Sequence, residues 1–405
     1  MQAIAVVGAF DTKGEEYAYL VQQIRARNHP VLVIDTSVLG EGDPGADIQP
    51  DRIAKAGGSS LEHLRQKADR GMALQVMAAG TVKVVDGLFA AGKISGIVGM
   101  GGSGGTSLFS TAVRNLPIGF PKVLVTTMAS GDTRSIVGTR DLVLFPAVVD
   151  VAGLNRISRR IIANAANALC GMVEAGSDSV VEEKPIIAAT MLGNTVPAIE
   201  AARPILEAAG YEVLVFHTVG TGGRTMESLI GDGLIAGVFD LTTTELASEL
   251  IASPFSAGPL RLRAAGQKCL PQLISVGCLD FSIFGPRTSI PGQYQNRKLL
   301  TWSAETTIMR MTAEESAILG KRFAQRVNES RGPVEVILPL QGISLVDAPD
   351  QPFWDPEADL ALFGAIRSDL RSDIPLIEVD AHINDPVFAK RAAEILLELL
   401  AGRRV

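Results

Sequence analysis

The sequence predicts an α/β protein built of two Rossmann-like, doubly wound parallel-sheet domains with an interdomain cleft. Three observations carry this. Short β-branched apolar runs alternate with longer helical patterns, the whole pattern restarts near the middle of the chain, and loops rich in glycine and hydroxyl residues follow the apolar runs. At 405 residues the chain is also too long for one comfortable core.

The first-half runs are "IAVVG" (4–8), "VLVID" (31–35), "ISGIVGM" (94–100), "KVLVTT" (122–127) and "DLVLFP" (141–146). Runs apolar on both faces and separated by helices mark strands of a covered parallel sheet. A helical stretch follows from Asp150 to Ala175, and "GSDSVVEEKP" then reads as a linker. The expected domains are therefore 1–178 and 179–405. After the linker, residues 185–218 lie over residues 3–36 in nearly the same register, so that Thr12 falls on Thr195 and Val33 on Phe216. Further second-half strands are expected at 236–241, 272–277, 334–340 and 376–382.

Composition narrows the function. The 37 basic and 44 acidic residues give a net charge of −7 without a block of like charge, which argues against a nucleic-acid surface. Three scattered cysteines with no CxxC pair fit a reduced compartment. The opening "MQAIAVVGAF" runs straight into "DTKGEE" and reads as a first strand, not a leader. No run nears the ~18 consecutive apolar residues of a membrane span. A cytoplasmic protein that binds no membrane is expected. The four histidines are dispersed, no carboxylate cluster has metal-ligand spacing, and no GxSxG elbow occurs. No metal site and no covalent nucleophile are expected.

The chemistry is expected in the loops at the carboxyl ends of the strands, where parallel sheets collect ligands. "GMGGSGGTSLFSTAVRN" puts Gly101, Gly102, Gly104 and Gly105 around Ser103 and Thr106 at the start of a helix. Glycines there permit φ > 0 and let an anion reach the amides, while the hydroxyls add donors. The other reading is a tight turn capped by Ser103 or Thr106. The loop has no P-loop lysine, and no GxGxxG follows the first strand. Asp11, Thr12 and Lys13 stand after the first strand, able to meet a ligand or to cap a helix beginning near Gly14. Asp35 stands where a ribose-binding acid would lie. Thr127, Ala129, Ser130, Gly131 and Asp132 follow the fourth strand and either close a phosphate site or form a capped turn.

In the second half "VGTGGRT" offers Arg224 and a second anion loop, with a surface loop as its competitor. "HINDP" reads as a helix start at Asp385 and Pro386 that leaves His382 and Asn384 as candidates facing the cleft, with His382 either an acid or base or a hydrogen-bonded structural histidine.

"GAFDTKGEE", "GMGGSGGT", "TMASGDT", "LPLQGIS" and "HINDP", in this order, resemble an uncharacterised bacterial protein family related to the N-terminal ATP-binding region of a plant tomato mosaic virus resistance protein. The resemblance covers essentially the whole chain. It implies two Rossmann-like subdomains, ATP binding at Asp11–Lys13, Gly101–Thr106 and Thr127–Asp132, and a homodimer. In the plant protein it also implies inhibition of viral RNA replication and a following barrel domain. For the bacterial members it implies a barrel-domain partner protein and no settled reaction. The expected ligands are ATP with Mg²⁺ and, in an enzyme, a small acidic metabolite receiving a phosphoryl or adenylyl group with His382, Asn384 and Arg224 at the reacting end. The alternative is a non-catalytic nucleotide-binding module read by a protein partner.

Overall fold

A computed structural model describes residues 2–175 and 184–402. The linker and the boundary expected between residues 178 and 179 lie outside the described residues. The chain divides into two compact units, Met1–Val180 and Val181–Val405.

The first unit runs β1 (Ala3–Gly8), α1 (Phe10–Ala26), β2 (Val31–Asp35), α2 (Pro50–Ala56), α3 (Leu61–Lys67), α4 (Arg70–Ala90), β3 (Ile94–Gly101), α5 (Ser103–Ala112), β4 (Lys122–Thr126), α6 (Arg134–Val137), β5 (Val143–Pro146) and α7 (Arg156–Ala175). Its five strands are parallel in the order β2-β1-β3-β4-β5. Alternation along β1 feeds both faces. Ala5 and Val7 pack with Met77, Val85, Leu108 and Phe109 of α4 and α5, while Ile4 and Val6 pack with Leu20, Ile24, Ala165 and Leu169 of α1 and α7. The doubly wound reading therefore holds. The last helix starts at Arg156, not at Asp150, because the Asn155 side chain accepts the amides of Ile157 and Ser158. Among the described residues α4 alone is long and apolar enough to cross a membrane, yet Ala73, Met77, Val84 and Val85 bury one side of it in this core.

The second unit repeats the plan. It comprises β6 (Ile186–Met191), α8 (Val196–Ala208), β7 (Glu212–His217), α9 (Thr221–Gly231), β8 (Gly237–Thr242), α10 (Glu245–Leu250), α11 (Ala264–Gln267), β9 (Gln272–Gly277), β10 (Phe281–Phe284), β11 (Leu299–Ser303), β12 (Thr306–Arg310), α12 (Ala313–Asn328), β13 (Val334–Pro339), α13 (Pro356–Asp369), β14 (Leu376–Val379) and α14 (Pro386–Leu400). The parallel order β7-β6-β8-β9-β13-β14 matches the first sheet, with one strand added. The structure also adds a three-stranded antiparallel sheet, β10-β12-β11, that the sequence reading did not contain.

In both sheets the second strand lies outside the first, so the chain reverses direction of travel between β1 and β3 and again between β6 and β8. A crevice is expected at each switch point, because the following helices depart to opposite faces. The two crevices are treated very differently.

Candidate functional site

At the β1/β3 switch point a cleft of about 640 Å³ opens, within the range usual for small-molecule sites. Asp11, Thr12, Lys13, Gly102, Ser103, Gly104 and Gly105 all line it, so two of the loops singled out in the sequence converge. Tyr17 forms part of the floor. Its hydroxyl receives the Met100 amide at 3.1 Å and reaches Met100 O at 2.6 Å, tying α1 to β3. Gly8 is required below it, since a Cβ at residue 8 would stand 1.9 Å from the tyrosine ring.

The glycine loop works by a route other than the expected one. None of Gly101, Gly102, Gly104 and Gly105 has positive φ. Gly101 and Gly105 are demanded by packing: a Cβ at 101 would lie 3.1 Å from Gly105 Cα, and one at 105 would lie 3.1 Å from Met100 O. Gly102 and Gly104 have no such neighbour, their nearest being Thr127 Oγ1 at 3.8 Å and Arg70 Nη2 at 3.6 Å. Packing explains two of the glycines, and the space over the other two belongs to the cleft.

Gly102 is the N-cap of α5 and supplies no side-chain acceptor. The amides of Ser103, Gly104 and Gly105 therefore begin the helix without intrahelical partners, at its positive end. Thr106 is not a free donor, because its buried hydroxyl meets Thr126 Oγ1 at 2.6 Å. Positive charge comes from Lys13, whose Nζ donates to Val151 O, and from Arg70. Sequence reasoning missed Arg70, which has no hydrogen bond or ion pair among the described residues and whose guanidinium hangs beside Gly104. Nothing marks it in the sequence except its place at the start of a helix. The remaining wall combines apolar Leu64, Ala73, Leu74, Met77 and Leu108 with the polar Thr36 and the carboxylates of Asp69 and Asp150.

The other first-half candidates resolve individually. Asp11 Oδ2 accepts the amides of Val38, Leu39 and Gly40 at 3.2, 3.0 and 3.1 Å, so this carboxylate shapes the loop that borders the cleft. Its Oδ1 is buried and unpartnered. Thr12 Oγ1 reaches Ala9 O at 3.4 Å. The helix begins at Phe10 rather than near Gly14, with a break at Lys13 (φ −138°, ψ 34°). Asp35 is no ribose ligand, for its buried carboxylate takes the amides of Ser37 and Asp43. Thr127 stands beside Gly102, but Ala129, Ser130, Gly131 and Asp132 do not line the cleft. Asp132 is exposed and paired with Arg134 at 2.6 Å, which holds its carboxyl down to about 2.

The second switch point is filled by the protein's own side chains. Arg261, fully buried, bonds Asp240 at 2.5 and 2.8 Å and Glu245 at 2.7 Å, and Glu227 lies 3.5 Å away. Thr190 donates to Asp240 at 2.7 Å. The loop "VGTGGRT" does bind an anion, and that anion is Glu245: its Oε1 accepts the amides of Gly220 and Gly223 at 2.6 and 3.1 Å. Arg224 turns aside to Ser256 O at 2.9 Å. His382 is engaged at both ring nitrogens, with Nδ1 accepting the Asn384 amide at 3.1 Å and Nε2 donating to Ser344 O at 2.9 Å. That pattern describes a neutral imidazole that ties loops together. Asp385 caps α14 by position, but its carboxylate takes the His382 amide.

A second buried cluster sets Asp280, Asp347 and Asp359 around Arg310. Burial, then the Asp347 charge, pushes Asp280 up to about 7 and Asp359 up to about 8. A carboxyl whose pKa is raised in the folded state stabilises fully below its unfolded value, and that stability is lost as pH rises through the folded value. Stability should thus fall between about pH 4 and about pH 8. Asp359→Asn keeps an acceptor for Arg310 and a donor for Asp347 at every pH. It is expected to flatten this slope and to melt on the order of 4 °C above the wild type near pH 9, as thermal melts across pH would show.

Fold and cleft define a two-unit α/β protein with an open helix N-terminus that lacks a side-chain cap at one switch point and a filled crevice at the other. The chain belongs to the uncharacterised protein family UPF0261, whose N-terminal domain matches residues 2–178 and whose C-terminal domain matches residues 184–400. Its relatives include a UPF0261 protein of Clostridium tetani, 42% identical over 98% of each chain. Another is the ToMV resistance protein Tm-1 of Solanum lycopersicum, 35% identical over 97% of this chain and 55% of its own length. Among solved structures, the UDP-GlcNAc 2-epimerase of Methanocaldococcus jannaschii aligns over 98% of this chain and 93% of its own, at 12% identity and a TM-score of 0.23.

Proposed function

We propose that the first unit binds ATP in the β1/β3 cleft, with the phosphates on the amides of Ser103, Gly104 and Gly105 and the nucleoside against Leu74, Met77 and Leu108. One contrast carries the reading. Two glycine-rich helix starts are present; that of α9 is occupied by the internal carboxylate of Glu245, whereas that of α5 opens on the cleft without a side-chain cap. An anion at such a start is stabilised by unpaired amides and the helix dipole together. Lys13 and Arg70 supply the charge that a polyphosphate needs, and Mg²⁺ would enter with the nucleotide. His382 and Arg224 are held by backbone carbonyls, which favours a nucleotide-binding module over a phosphoryl-transfer enzyme.

Calorimetric titration with ATP, with NAD as the control, tests this. Arg70→Ala should weaken ATP binding by roughly tenfold or more, the worth of one charge-assisted contact, and leave melting unchanged because Arg70 is exposed. Binding of NAD but not ATP by the wild type would refute the assignment.

A further inference from the structure

Four sequence motifs have no part in the nucleotide cleft, and the second sheet brings them to one place. "MLGNT" follows β6, "GCLDF" follows β9, "LPLQGIS" follows β13 and "HINDP" follows β14, each at a strand's carboxyl end. Hydrogen bonds join them. Asn384 Nδ2 and the Leu345 amide both donate to Asn194 O, at 3.0 and 3.1 Å. Ser344 Oγ donates to Asp280 Oδ2 at 2.7 Å, and the Ile343 amide donates to Asp347 Oδ2 at 3.1 Å.

This network leaves Asn194 Oδ1, Asp280 Oδ1 and Asn384 Oδ1 buried without a donor, while Asp347 Oδ1 faces Arg310 Nη2 at 3.6 Å and the proton of Asp359. Asp280 and Asp347 are 0% exposed and Asn194 is 2% exposed. Native interiors pair nearly all buried polar atoms, and here the two amide oxygens are acceptors, as is Asp280 Oδ1 when its carboxyl is ionised. The missing partner therefore brings N–H or O–H groups.

Charge selects between those. Arg310 is one guanidinium facing the three carboxyls of Asp280, Asp347 and Asp359. Burial keeps a proton on Asp359 at neutral pH and holds Asp280 near its midpoint at about 7, so Arg310 balances Asp347 and a cation beside Asp280 would draw off its proton. No three carboxylate, imidazole or thiolate groups among the described residues are set to hold a metal ion, so the compensating charge is better carried by nitrogen. At the rim, the half-exposed Trp302 lies against Gly193, its Cζ2 3.8 Å from where a Cβ would stand. Its ring offers a cation an aromatic face.

We propose that the carboxyl end of the second sheet is a binding site for a small molecule bearing a protonated amine, whose N–H groups meet Asn194, Asp280 and Asn384 under Trp302. The ligand proposed for this site is a cation, opposite in charge to the acidic metabolite suggested by the sequence. It does not depend on the nucleotide cleft.

The test is thermal melting and calorimetry of the full chain with ammonium, ethanolamine and putrescine. Tetramethylammonium serves as a cation without donors, glucose as a neutral donor, and Mg²⁺ as a metal. Primary amines should raise the melting temperature saturably, with the three controls at least about tenfold weaker. Asp280→Asn, which keeps the Ser344 bond, should cost about tenfold or more in amine affinity. Trp302→Ala, on an exposed strand, should cost several-fold and guards against a folding defect in the first variant. Equal response to tetramethylammonium or glucose, response to Mg²⁺ alone, no response of the folded wild type, or unchanged affinity in both variants would overturn the proposal.

Discussion

A chain carrying Gly102→Ala and Gly104→Val should lose ATP affinity by about a hundredfold or more while melting no lower than the wild type. The two halves of this result have separate causes. Neither position has positive φ, and a Cβ at 102 or 104 meets no atom closer than 3.8 or 3.6 Å, so the fold accepts a Cβ at both and the only close neighbour at 104 is the end of the flexible Arg70 side chain. Residue 104 is helical, and valine, though a weaker helix former than alanine, still gains roughly a few tenths of a kcal/mol over glycine there. The ligand has no such room, because its phosphates must come within hydrogen-bond distance of the amides that these side chains would cover. Gly105→Val is the informative contrast. Its Cβ would stand 3.1 Å from Met100 O, so melting should fall along with binding. Calorimetry paired with thermal melts separates the two. Undiminished ATP binding in the folded double variant would remove the nucleotide from this cleft.

Arg261→Met should destabilise the second unit by about 3–5 kcal/mol, the usual cost of taking one partner from a buried ion cluster. Arg261 is 1% exposed and neutralises Asp240 and Glu245, with Glu227 close by. Burial works against its charge, but Asp240, Glu245 and Glu227 more than restore it, so its pKa stands above the ordinary range. Methionine fills much of the volume and leaves those carboxyls with no countercharge. The damage should spread to α9, because Glu245 also holds the amides of Gly220 and Gly223. Urea unfolding followed by circular dichroism would measure it, and a loss below about 1 kcal/mol would show the cluster to be dispensable.

Much of the fold was legible from residue order. Apolar runs such as 4–8 and 94–100 became parallel strands because a strand covered on both faces needs no polar alternation. The overlay of residues 185–218 on 3–36 anticipated that both units open with the same strand–helix–strand unit, but not the order of the remaining strands. The β10-β12-β11 sheet was not seen, because Gly285, Pro286, Pro291 and Gly292 break its sequence into pieces too short to show a period. For the site, the loops at 11–13 and 102–105 were found because glycines and small polar residues after a strand are a local signal. Arg70 was not, since an isolated arginine at a helix start carries no pattern. The loop at 129–132 looked like its neighbours in composition, yet Asp132 is spent on Arg134 two residues away.

The sequence by itself determined two doubly wound units and the loops in which bare amides would gather, because strand period, helix period and glycine content are properties of adjacent residues. Only the tertiary structure decided which of those loops is open. "GMGGSGGT" and "VGTGGRT" have the same chemistry on paper, but Glu245, which fills the second, lies 25 residues from Gly220. Whether an amide is already satisfied depends on what the fold brings to within 3 Å of it, and no reading of neighbouring residues contains that distance.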